Sequence, residues 1–476
     1  MPNTLYWHDY ETFGTDPRRD RAVQFAGIRT DEDLNEIGEP LNVYCRPADD
    51  FLPQPEACLV TGITPQLALE KGLPEVDFIA AILEQLGQPG TCGVGYNTLR
   101  FDDEFTRNLL YRNFFDPYAR EWQHGCSRWD ILDMLRLTRA LRPEGIVWPT
   151  HEDGKPSFKL EHLSAANGLV HEAAHDALSD VRATIAVARL VKATQPKLYD
   201  YVYQLRDKHK VAGQIDLDSK RPVLHVSGMY STDFGCLALV SPIAMHPTNK
   251  NEVVVFDLRA DPAPLFDLTP EQIRERLFTR AADLPEGVER LPLKTIHLNK
   301  CPIVASSKLL TPALAEHWQI DLAQSERHWK RLAANDLSAK LATVFDRPAG
   351  EPPSDPDLML YGGGFFSNKD RGLMNRIRAT LPQQLAELRL DFDDARLPEM
   401  LFRYRARNFP ETLASTEAMR WDDYREWRLT DPAGGASITI DDYLAQIEQL
   451  QGRADLTGRQ QQVLAALLDY AEMVSP

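Results

Sequence analysis

Three short stretches of the chain carry side chains whose type and spacing could do chemistry. The first is His8-Asp9-Tyr10-Glu11-Thr12. In an extended stretch, Asp9 and Glu11 stand two residues apart and project to the same side. Two carboxylates held that close repel unless a cation lies between them, and magnesium, a hard ion that favours oxygen ligands, suits the pair. The second is Asn97-Thr-Leu-Arg-Phe-Asp102, which follows an apolar run and puts Asp102 near the start of a helix. Carboxylates are common there for helix-dipole reasons alone, and Asp103 and Glu104 compete for the same role. The third is His175-Asp176-Ala-Leu-Ser-Asp180. With Asp176 as the helix cap, Asp180 lies one turn inside and His175 just before, so a metal ligand and a general base could face one pocket. Taken singly, each stretch is equally compatible with a solvated strand face, an acidic helix start or a histidine flanking a helix. A rival motif overlaps the third: His171-Glu172-Ala-Ala-His175 has the H-E-x-x-H form of zinc proteases. That form needs one continuous helix, whereas Gly168 ends one helix and Asp176 opens the next, and no third zinc ligand is well placed.

The elements that must position these residues can be read from periodicity. Up to residue 194, strand signals (4–11, 22–30, 41–47, 91–97) alternate with helical spacing (76–86, from 103, 160–166, 177–191). That pattern predicts an α/β domain with a mixed sheet. A helical, basic stretch follows at 198–210, and then β-rich segments at 222–229, 237–242 and 252–258 suggest a small barrel-like element with helical additions. Residues 347–357 carry four prolines in eleven positions and form the clearest linker. Beyond 358 the pattern is mostly helical, most clearly at 441–451 and 459–473. Gly362-Gly363-Gly364 lacks the Lys-Ser/Thr of a Walker loop and reads as a surface loop. The expected divisions are 1–194, 195–350, a linker at 351–357, and 358–476.

Taken together, D-x-E, then N-x₃-F-D, then H-x₄-D, in that order within one α/β segment, resembles the DEDDh exonuclease superfamily. The longer motifs HDYETFGTDP, YCRPADDFLPQP, TGITP, GYNTLRFDDEFTRN, LRPEGIVWP, KHK…HVSGM, HLNKCP and YRARNFP resemble the bacterial exonuclease I family across essentially the whole chain. The resemblance implies an RNase H-like exonuclease domain, an SH3-like domain and an all-helical C-terminal domain around a DNA groove. It also implies that Asp9, Glu11, Asp102 and Asp180 hold two Mg2+ ions, with Mn2+ able to substitute, and that His175 is the general base. The implied activity is 3′→5′ hydrolysis of single-stranded DNA to 5′-mononucleotides, with roles in DNA repair, recombination and mismatch repair. The implied partners are single-stranded DNA and the C-terminal tail of single-stranded DNA-binding protein. An RNA-trimming DEDDh exonuclease and a non-catalytic single-strand-binding clamp are the alternatives, the latter disfavoured by the intact set of five residues.

Residues 106–142 interleave aromatics with seven arginines against four acids, the usual logic of phosphate contact and base stacking for sequence-tolerant strand binding. Some of these residues must belong to the core. The resemblance marks Arg107, Tyr118, Trp122 and Arg136 as strand-contacting positions, and Lys159 as a basic position near the active site where the family has arginine. A lysine there offers a point charge rather than a bidentate fork. The net charge of −17 argues mildly against nucleic-acid binding, but local charge decides, and an acidic metal site accounts for part of it. Six cysteines lie far apart with no C-x-x-C pair, giving zinc ribbons and disulfide scaffolds no support. With no signal-peptide pattern and no apolar run of membrane length, a cytoplasmic protein without membrane contact is expected; a monomer is the expected state.

Overall fold

The stretch bearing Asp9 and Glu11 is a strand, Thr4–Thr12 (β1), built from aromatic and β-branched residues that pack well on a pleated surface. It pairs antiparallel with Ala22–Thr30 (β2), in a register that sets Asp9 opposite Ala26, Tyr10 opposite Phe25 and Glu11 opposite Gln24. Leu41–Tyr44 (β3) flanks β2, Thr91–Gly95 (β4) runs parallel to β1, and Ser127–Asp130 (β5) completes the order β3-β2-β1-β4-β5. The sheet is therefore mixed, as the alternating pattern predicts. Trp7 is fully buried and its indole N–H donates to Thr30 Oγ1 at 2.9 Å. Pairing of β1 with β4 runs only from Thr4 to Trp7, so the end of β1 that carries Asp9 and Glu11 projects beyond its parallel neighbour. In open α/β sheets, the crevice beyond the carboxyl ends of strands is where ligands bind.

The computed structural model describes residues 3–170, 176–346, 350 and 353–475. Contacts group these into two units: Met1–Ser127 with His171–Arg182 and Gly350–Pro476, and Arg128–Val170 with Ala183–Ala349. In the first unit the C-terminal helices share their core with the sheet region. Phe13, Val23, Phe51 and Leu52 pack with Leu429, Tyr443, Ile447, Leu464, Leu467 and Tyr470 in one apolar cluster. A buried ionic network crosses the same junction. Arg407 donates at 2.7 Å to both Asp50 and Asp357, and Arg403 donates to Asp357 at 3.1 Å. Burial alone would raise the Asp50 carboxyl, but Arg407, Arg428 and Arg21 outweigh it and hold Asp50 below the usual carboxylate range. Asp357, at the end of the proline-rich stretch, is thus 3% exposed and anchored.

The second unit is built on an antiparallel sheet in the order β10-β6-β7-β8-β9. Its strands are Val223–Val226 (β6), Leu237–Met245 (β7), Glu252–Asp257 (β8), Leu293–His297 (β9) and Ile303–Ser306 (β10). Pro242, which cannot donate to a ladder, sits at a register shift in β7. The helix expected over 198–210 is two helices, Pro196–Gln204 and Lys208–Ala212, because Asp207 caps the second by accepting from the His209 N–H. All six cysteines are buried thiols outside any disulfide. Among the described residues, no helix is long and apolar enough to cross a membrane.

Candidate active site

Asp9 and Glu11 reach the same side of β1, as their spacing requires. The helix that supplies the third carboxylate, Asp102–Arg112 (α1), begins after a turn in which Asn97 takes the left-handed backbone (φ 64°). Asp102 is 3% exposed, and its Oδ1 accepts the backbone N–H of Tyr10 at 3.1 Å. It therefore ties the helix start to β1 where β4 no longer accompanies that strand. Asp103 is excluded from the same task by a buried pair with Arg120 at 2.5 Å, and Glu104 accepts from Arg107 at 2.7 Å. The fourth carboxylate, Asp180, lies in the first turn of Ala177–Thr194 (α2), whose opening Asp176 caps by accepting the Ser179 N–H at 3.2 Å.

Oxygens of Asp9, Glu11 and Asp180 all lie within 4.8 Å of one another. Burial, and then the charges of Asp102, Glu11 and Asp180, push the Asp9 carboxyl well above its usual range. Burial, and then Asp180 and Asp176, push Glu11 up to about 8. A cluster of hard oxygen donors, too crowded with negative charge to stay ionised at neutral pH on its own, fits a divalent cation of the magnesium type. His175, with His171 and Glu172 of the rival zinc motif, lies outside the described residues. On either side of them the helices are separate, Leu160–Ala166 ending before Gly168 (φ 65°) and α2 opening at Ala177. Sequence reasoning gave Asp176 only a capping role. It also presses on Glu11 and accepts from Gln24, the residue opposite Glu11 on β2, at 3.4 Å.

A family model described as Exonuclease matches residues 6–188, one described as Exonuclease I SH3-like domain matches 206–347, and one described as Exonuclease I C-terminal domain matches 354–474. Exodeoxyribonuclease I of Escherichia coli (strain K12) is 46% identical over 474 residues, which cover 99% of this chain and 98% of that protein. The chain belongs to the exodeoxyribonuclease I family. The solved structure of a moderately thermophilic exonuclease I from Methylocaldum szegediense is 55% identical and superposes with a TM-score of 0.96, covering 100% of both chains. The zinc-ion-bound form of the E. coli exonuclease I–single-stranded DNA complex is 46% identical with a TM-score of 0.94, again over 100% of both chains. The exonuclease domain with its mixed sheet, the SH3-like domain and the helical C-terminal domain are those of this family.

The exodeoxyribonuclease I framework gives the arginine–aromatic segment two kinds of residue. Trp122 is 66% exposed, and Tyr118 is half-buried beside Phe365, which is 82% exposed. Arg107 is buried. It donates to Glu121 at 2.7 and 2.8 Å and to Glu104 at 2.7 Å, and lies 5.4 Å from the centre of the Tyr118 ring. Its charge is met within the protein by Glu121 and Glu104. Arg112 and Arg120 are likewise buried, against Glu75 and Asp103. In the second unit, Arg136 pairs with Asp133 and lies over the Phe158 ring at 5.7 Å. Lys159 keeps 61% of its side chain exposed, with Glu161 at 3.7 Å.

Proposed function

We propose that this chain hydrolyses single-stranded DNA from the 3′ end, releasing 5′-mononucleotides. The convergence of Asp9, Glu11 and Asp180, with Asp102 beside them, in the exonuclease domain of this family carries the reading. In this proposal the four carboxylates hold two Mg2+ ions, which supply Lewis-acid activation of water and charge stabilisation at the leaving 3′ oxygen. The protein's own part is positional. β1 fixes Asp9 and Glu11 at the spacing of one strand repeat, the Tyr10 N–H holds Asp102 against that strand, and the Asp176 cap fixes the turn bearing Asp180. His175, placed by sequence five residues before Asp180, accepts the proton of the attacking water. Exposed Trp122 and half-buried Tyr118 offer stacking faces to bases, while Arg136 and Lys159 offer cations to phosphates; Arg107 steadies Tyr118.

The family resemblance extends the proposal to a monomeric cytoplasmic enzyme of DNA repair, recombination and mismatch repair. Its protein partner would be the C-terminal tail of single-stranded DNA-binding protein. Digestion of 3′- and 5′-labelled single-stranded DNA and RNA, with Mg2+ or with EDTA, tests the activity. Immediate release of the 3′ label as mononucleotide from DNA, dependent on Mg2+ and much slower on RNA, is expected. Release beginning at the 5′ label, or cleavage that persists in EDTA, overturns the reading.

A further inference from the structure

Gly228 lies in the turn that follows β6, closed by the Tyr230 N–H donating to the Ser227 carbonyl at 3.1 Å. Its backbone is outside the left-handed region, so conformational freedom does not explain a glycine there. The space above it does. A Cβ at this position would fall 2.9 Å from each of Cζ, Nη1 and Nη2 of Arg136. Three guanidinium atoms at one distance mean that the planar group lies flat across the glycine. Arg136 is held in two further ways, by its ion pair with Asp133 and by the Phe158 ring 5.7 Å from its Cζ. These residues all belong to the second unit.

We propose that Gly228 is a positioning residue for single-strand binding: its missing side chain is the seat on which the Arg136 guanidinium is set for a phosphate. The inference rests on the reading of Arg136 as a strand contact given above. Carbon contacts under 3 Å are not sustained, and here the atom that yields is the far end of a flexible side chain rather than backbone. Any larger residue at 228 therefore displaces the guanidinium while leaving the turn in place. A charge-assisted hydrogen bond to phosphate is short, about 2.7–2.9 Å, and directional, so displacing the guanidinium from this seat weakens it.

The test is equilibrium binding of a fluorescent oligo-dT in EDTA, across a range of salt, by the full-length wild type, Arg136→Ala, Gly228→Ala and the double variant. Arg136→Ala should weaken binding about tenfold, one charged hydrogen bond. It should also lower the magnitude of the log–log salt slope by about 0.7, one phosphate. Gly228→Ala should reproduce both changes, and the double variant should bind no more weakly than Arg136→Ala. If Arg136→Ala weakens binding while Gly228→Ala matches wild type, the role of Gly228 is overturned and that of Arg136 stands. Wild-type binding by Arg136→Ala removes the strand-contact reading and this inference with it. Should Gly228→Ala fail to fold, the double variant decides. Recovery of folding once the guanidinium is gone supports the contact, and persistent misfolding overturns it.

Discussion

Replacing Glu11 by glutamine should stabilise the metal-free protein while destroying its use of metal. A free glutamate ionises near 4.5, whereas burial and the neighbouring Asp180 and Asp176 charges hold folded Glu11 at about 8. Between those values the folded state binds the extra proton, so stability falls as pH rises through the window and levels off above 8. At pH 7.5 the native site works against folding by about 4 kcal/mol on this account, at 1.36 kcal/mol per pH step. Water entry and side-chain relaxation reduce it to roughly 1–3 kcal/mol. Glutamine has nearly the shape of neutral glutamate and has no charge to lose, so the variant escapes the cost. In a unit of this size, thermal melting in EDTA at pH 7.5 should shift upward by roughly 3–8 °C. At pH 5 the gap should shrink to less than about a quarter of that, since little of the pH window above the unfolded value of 4.5 has then been crossed. With Mg2+ the order should invert, because only the wild type gains from the ion. A variant that melts below wild type in EDTA at pH 7.5, or a gap of equal size at pH 5, would refute the crowded-carboxylate account.

Asp180→Ala should abolish cleavage and leave oligonucleotide binding intact in EDTA; wild-type turnover would remove it from the site. His175→Ala should lose roughly 10²–10⁴-fold in turnover while still binding Mg2+, and Glu172→Ala should stay active, both measured as single-turnover digestion. An inactive Glu172→Ala with stoichiometric zinc would favour the protease motif instead. Trp122→Ala should weaken single-strand affinity by about 1–3 kcal/mol with an unchanged melting temperature, since the side chain is 66% exposed. Arg107→Ala should instead destabilise the fold by about 1–3 kcal/mol in denaturant titration, because it removes two charged hydrogen bonds to Glu121.

The convergence of Asp9, Glu11 and Asp180 was legible because each candidate carboxylate depends on spacing within a few residues. The strand repeat joins Asp9 to Glu11, a helix start marks Asp102, and a cap followed by one turn places Asp180. Where partners lie far apart in the chain, the sequence was silent. Nothing near Arg107 announces that it pairs with Glu121 and meets Tyr361. The choice among Asp102, Asp103 and Glu104 had the same difficulty, since the pairing of Asp103 with Arg120 is not visible in the sequence. β9 and β10 carried too weak a pattern to separate from loops, and the helix over 198–210 ran on in periodicity where Asp207 interrupts it.

The ionic junction at Asp50 also makes a statement about alleles. A nonsense codon anywhere between positions 358 and 400 removes Arg403, Arg407 and Arg428 together with the helices bearing Tyr443, Leu464 and Tyr470, although Asp9, Glu11, Asp102 and Asp180 are all still translated. The shortened product keeps Asp50 with no cation from the lost region, and keeps Phe13 and Phe51 with no apolar cover from it. Losing that ionic network and the apolar cover together removes a large part of the stability of an ordinary domain. Late stop codons should therefore behave genetically as null alleles, although they lie downstream of the nuclease motifs.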